Sequence, residues 1–140
     1  MSNYGELIFY EKARQVVKIV DLLIKNWPKT MQAQEISQQL FRSAASVGAN
    51  IAEGHGRHQG TEYIHYLIIA RASANETEHW LHAAKDCGLG LNERVDEALG
   101  LNNEVVRMIT SSIHTIRESK KQVTEENVDY LVDSDRMNND

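Results

Sequence analysis

At 140 residues the chain is long enough for one domain with its own hydrophobic core. One proline, two phenylalanines and a 41% hydrophobic fraction argue against a many-turned β-sandwich. The single cysteine, Cys87, excludes an internal disulfide. The net charge of −5 is unevenly placed. Residues 1–121 hold fourteen basic and fourteen acidic side chains, whereas residues 122–140 hold Glu125, Glu126, Asp129, Asp133, Asp135 and Asp140 against Arg136 alone. An acidic total is therefore no argument against a nucleic-acid partner for the body of the chain.

Four segments repeat apolar residues at helical spacing. In the first, Ala13, Val16, Val17, Val20, Leu23, Ile24 and Trp27 form one stripe, stopped by Pro28. The second runs from about Ala33 to Glu53 with Ile36, Leu40, Ala44, Val47 and Ile51 in register, and Thr30 is placed to cap it. The glycine-punctuated stretch GHGRHQG, residues 54–60, is read as a turn. The third helix, from about Thr61 to Asp86, carries Tyr63, Leu67, Ala70, Ala74 and Leu81, and CGLG closes it with a C-cap signal. The fourth starts at an Asn92 cap and uses Ala98, Leu101, Val105, Ile109, Ser112, Ile113 and Ile116. Long helices joined by short turns pack as antiparallel neighbours. The expected fold is all-α: an up-and-down four-helix bundle over residues 1–121, followed by an acidic, disordered tail over 122–140 in which a short helix around Val128, Leu131 and Val132 can form. No apolar run reaches the ~18 residues that span a bilayer. The opening MSNYGELIFYEKARQ lacks an apolar signal core, so a cytoplasmic protein is expected.

The helix faces carry the functional signal. Opposite the core stripe of the first helix, Arg14, Lys18, Lys25 and Lys29 share a sector, diluted by Glu11 and Asp21. Such a sector is either a solvated charged face or a stripe that tracks phosphates without reading sequence. Away from its core stripe, the second helix presents Arg42, Ala45, Ser46, Ala49, Ala52 and Glu53. Small residues admit a close neighbour, and a helix that is small or apolar all round is usually covered on both sides. That second face predicts self-association. In the third helix Glu76 shares a sector with Ile69, Ser73 and Trp80, which predicts a buried carboxylate paired with Arg42 or Asn50.

Other motifs lead away from catalysis. The 54–60 stretch follows a helix rather than a strand, and its glycine spacing matches no nucleotide fingerprint. Arg57 with His55 and His58 just ahead of a helix N-terminus suits, at most, a local anion contact. His79 and His82 lie about 30 Å along the third helix from His55 and His58, too far for one zinc site. No HExxH, nucleophile elbow or reactive-cysteine constellation is present. No metal, no cofactor and no enzymatic activity are expected.

The block Gln39-Leu-Phe-Arg42-Ser-Ala-Ala-Ser46-Val-Gly-Ala-Asn50-Ile-Ala-Glu53-Gly54, followed by Gly56-Arg57, resembles the bacterial four-helix-bundle proteins described from 23S rRNA intervening sequences. The opening Leu7-Ile-Phe-Tyr-Glu11-Lys-Ala13 and the later Tyr66-Leu-Ile-Ile-Ala70-Arg-Ala-Ser73-Ala-Asn-Glu76 are similar to that family's other blocks, so the likeness spans about residues 6–120. The resemblance implies a homopentamer. Its relatives among the accessory variability determinants of diversity-generating retroelements further imply RNA or DNA backbone binding and a reverse transcriptase as partner. On that reading Arg14, Lys18, Lys25, Lys29, Arg57, Arg107, Arg117 and Lys121 are the candidate phosphate contacts. Arg42, Ser46, Ala49, Asn50, Glu53 and Glu76 form the structural and oligomer network. The alternative is a protein–protein interaction module that binds no nucleic acid.

Overall fold

A computed structural model describes residues 4–57, 60–90 and 93–137. They form four helices: α1 (Tyr4–Lys25), α2 (Met31–Arg57), α3 (Gly60–Asp86) and α4 (Glu93–Met137). Each helix packs on its two neighbours in the cyclic order α1, α2, α3, α4, and among the described residues the diagonal pairs do not meet. The direction of packing follows from who touches whom. Ser43 and Ser46 of α2 meet Thr77 and Ser73 of α3, whereas Gly54 lies against Tyr63 and Tyr66. Arg71 and Lys120 likewise bond to Thr110 and Thr61 across α3 and α4. In both pairs the residue number rises on one helix as it falls on the other, so the neighbours are antiparallel.

The core stripes fall largely where their periodicity puts them, with Val17, Ile24 and Trp27 of α1 and Leu101, Ser112 and Ile116 of α4 only half-buried. Ala13, Val16, Val20 and Leu23 are buried, as are all five stripe residues of α2 and of α3. Phe9, Ile64, Ala84 and Val95 join them from positions at the stripe ends. Two packed clusters fill the interior. One sits around Phe9, Ile51, Leu67 and Ile109, and the other around Val20, Leu40, Leu81 and Val95.

The helix ends show why they stop. Trp27 N–H bonds to the Ile24 carbonyl at 3.1 Å, a tightened last turn ahead of Pro28. Thr30 caps α2: its hydroxyl accepts from Ala33 N–H at 3.2 Å. At the end of α3, Leu89 N–H reaches the Ala84 carbonyl at 2.8 Å and Gly88 N–H the Lys85 carbonyl at 3.0 Å. Gly88 takes φ +73°, the left-handed position this Schellman cap requires.

Two expectations change. The GHGRHQG stretch is not a turn throughout, since α2 continues through Gly54 and Gly56 to Arg57. Packing outweighs glycine's poor helix propensity there, because a Cβ on Gly54 would stand 2.7 Å from Tyr66 Cβ. The segment 122–137 is not a separate disordered tail. It extends α4 as one helix of 45 residues, about 68 Å at roughly 1.5 Å per residue. The Asn92 cap and His58 lie outside the described residues.

Candidate functional site

The small face of α2 divides between two neighbours. Ser46 turns toward α3, where its hydroxyl lies 2.9 Å from that of Ser73, and Asn50 Nδ2 donates to the Ser46 carbonyl at 2.8 Å. Beside them Ser43 Oγ and Thr77 Oγ1, both fully buried, sit 3.0 Å apart. Arg42 pairs with Glu76 at one end of this ladder. Glu76 is not the buried carboxylate its sector suggested: its side chain is 41% exposed. The Arg42–Glu76 edge of the α2–α3 seam faces solvent in the single chain, so little desolvation is involved. Asn50, the other anticipated partner of Glu76, is engaged by Ser46 instead.

Ala45, Ala49 and Ala52 lie on the other flank of α2 and, with Gly48, form the floor of a groove against α1. Its α1 wall is Tyr10, Ala13, Arg14, Val17 and Lys18, and it encloses about 360 Å³. Two members of the cation stripe, Arg14 and Lys18, thus converge with the small-residue stripe on one surface feature, whereas Lys25 lies outside its lining and Lys29 lies past the end of α1. Arg14 stacks over Tyr10, 5.9 Å from the ring centroid, and bonds to Glu11 at 3.1 Å. Lys25 pairs with Asp21 at 2.7 Å. Lys18 and Lys29 are exposed and have no carboxylate partner among the described residues.

The remaining candidates do not join this groove. Arg57, at the far end of α2, binds Glu53 at 2.8 Å and packs on Tyr66 with its guanidinium 5.6 Å from the ring centroid. The Glu53 hydrogen bond, then the electrostatics of Tyr66, hold its pKa above the ordinary arginine value. Arg107, Arg117 and Lys121 are exposed on α4, diagonal to α2. The cations therefore occupy separate faces.

Several contributors escaped the sequence reading. Tyr10 forms a groove wall, and its spacing of four from Arg14 was the available signal. Asn102 is buried and donates to the Ala74 carbonyl at 2.9 Å, joining α4 to α3. Lys12 reaches Glu104 at 2.8 Å. This hydrogen bond, reinforced by the lysine's charge, holds the Glu104 carboxyl below its ordinary range. Among the described residues, no three His, Cys, Asp or Glu side chains gather to hold a metal ion. No described helix is long and apolar enough to cross a membrane.

The arrangement defines a class: a four-helix all-α protein carrying a cation-rimmed apolar groove. The model of the 23S rRNA-intervening sequence protein family matches residues 5–111, and the chain belongs to that family. It is similar to the crystal structure of a protein of unknown function from the S23 ribosomal protein family of Bacteroides thetaiotaomicron. The two share 28% identity with a TM-score of 0.67, over 79% of this chain and 98% of that one. No curated protein matches the chain.

Proposed function

We propose that the chain is a non-catalytic, self-associating accessory protein that binds the backbone of RNA or DNA. The observation that supports this most is the groove itself. An alanine floor suits close approach of another helix, and the unpaired Lys18 on its rim suits phosphate. Family membership agrees, since the family takes its name from an rRNA intervening sequence. The finer form of the proposal is a homopentamer that serves a reverse transcriptase, drawn from the resemblance of the Arg42–Gly54 block.

Backbone binding without base readout has a defined signature: affinity falls steeply with salt because counterions are released. Fluorescence anisotropy of the full chain with an RNA and a DNA oligonucleotide should show that fall. Combining Lys18→Glu, Lys25→Glu and Lys29→Glu should weaken binding by about the same factor on different sequences. Salt-independent binding, or none to either oligonucleotide, overturns the proposal in favour of a protein–protein module.

A further inference from the structure

The last turns of α4 hold a surface that the bundle leaves uncovered. From Lys121 to Met137 the helix runs about 25 Å at roughly 1.5 Å per residue. Only Ser134 in this stretch is even partly covered. The stretch is nevertheless two-sided. At ~100° per residue, Val128, Leu131 and Val132 fall on one side, within a sector of about 100° that also holds Asp135, whereas Val123 lies diametrically opposite Val132. Glu125, Glu126, Asp129 and Asp133 fall on the other. Val123, Val128, Leu131 and Val132 are each between 46% and 61% exposed, and Tyr130 and Met137, beside the acidic residues, are 75% and 80% exposed. A helix of this length without packing is marginal in water, so an amphipathic one implies an occupied face.

The geometry excludes this chain's own groove as the place where that face docks. Among the described residues, the last hydrogen bond from α4 to another helix is Lys120 Nζ on Thr61 Oγ1, at the end where α3 begins. Beyond it the helix continues away from the bundle. Its axis belongs to the corner diagonal to α2, and an unbroken helix cannot turn back to α2. A second copy has no such restriction. Its groove offers complementary chemistry: Ala45, Ala49 and Ala52 for apolar side chains, with Arg14 and Lys18 at the rim for carboxylates. The charge balance agrees, because the extension holds the chain's net negative charge while the body is neutral. The extension also lies beyond the family-matched residues 5–111.

We propose that the α4 extension of one copy docks in the α1–α2 groove of a second copy, valines and leucine on the alanine floor and carboxylates against Arg14 and Lys18. Docking covers cations that phosphate would otherwise meet, so nucleic acid and the extension compete for the groove. The competition rests on the nucleic-acid reading of that groove; the docking does not.

Two full-length variants in a Cys87→Ser background test the docking without nucleic acid. One carries Ala49→Cys and the other Leu131→Cys. Mixed in a glutathione buffer, they should form the 49–131 disulfide, identified by peptide mass spectrometry. Its yield should be several-fold above that of a control pair with Ser111→Cys on exposed α4 in place of Ala49→Cys. Glu125→Lys with Asp129→Lys in the Leu131→Cys chain should reduce it to the control level. A yield equal to the control, or a predominant 131–131 disulfide from extension-to-extension pairing, overturns the docking.

The competition has its own readout. Val128→Ser with Leu131→Ser leaves the net charge unchanged, yet should release the extension. If about nine-tenths of grooves are docked, release tightens nucleic-acid binding about tenfold. Unchanged affinity overturns the competition. If neither the parent nor the variant binds nucleic acid, the functional reading and the competition fall together, and the 49–131 disulfide alone decides the docking.

Discussion

Single side chains show how local partners set charge states at the surface. Lys12 and Glu104 join α1 to α4, and the lysine's hydrogen bond lowers the Glu104 pKa. A carboxylate lowered in the folded state contributes stability above its unfolded pKa and loses it as pH falls through the folded value. An NMR titration should find the Glu104 midpoint below the ordinary glutamate range. Lys12→Gln should raise it, and a midpoint unmoved by that substitution would show the pairing is not maintained in solution. Both side chains are part exposed, so the bearing on overall stability is small.

Helix pairing depends on where small residues are placed. Gly54 and Gly48 lie on the same helix, but their surroundings differ. A Cβ on Gly54 would meet Tyr66 Cβ at 2.7 Å and Tyr63 Cδ2 at 3.1 Å. A Cβ on Gly48 would meet only Tyr10 Cε2, at 3.7 Å. Alanine raises helix propensity by about 1 kcal/mol at either position. At Gly54 this gain opposes an overpacking cost of roughly 1–3 kcal/mol, because the α2 and α3 backbones must separate. Chemical denaturation should therefore show Gly48→Ala neutral or stabilising and Gly54→Ala destabilising. Equal effects would mean that the α2–α3 crossing is looser than the Tyr66 contact indicates. The α2 apolar stripe was legible because its residues recur at helical spacing. The hydroxyl ladder beside it was not, since serine and threonine are equally at home on a wet face.

For the whole molecule, the decisive quantity is how many copies work together. Ala49 is exposed in the single chain, so Ala49→Glu should change the stability of the isolated bundle by no more than about 0.5 kcal/mol. In a contact between copies the same change buries a charge on the alanine floor, at a cost of several kcal/mol. Light scattering should report an oligomer for the parent chain and a smaller species for Ala49→Glu, with unchanged helical circular dichroism. A monomeric parent would overturn self-association, and an oligomer indifferent to Ala49→Glu would move the contact to another face.

The sequence alone determined the four helices, their core stripes, the Thr30 and Gly88 caps and the family, because periodicity, capping chemistry and a contiguous motif are local properties. Tertiary structure decided what depends on neighbours remote in sequence. It carried α2 through its glycines to meet Tyr66, left Glu76 half in solvent beside Arg42, and buried Asn102 against the Ala74 carbonyl. It also brought Arg14 and Lys18 onto the same groove as Ala45 and Ala49, while placing Arg57, Arg107, Arg117 and Lys121 elsewhere. A stripe on one helix cannot state which stripe of another it will face. That choice is made by the order of packing around the bundle, which also leaves the acidic end of α4 beyond reach of its own groove.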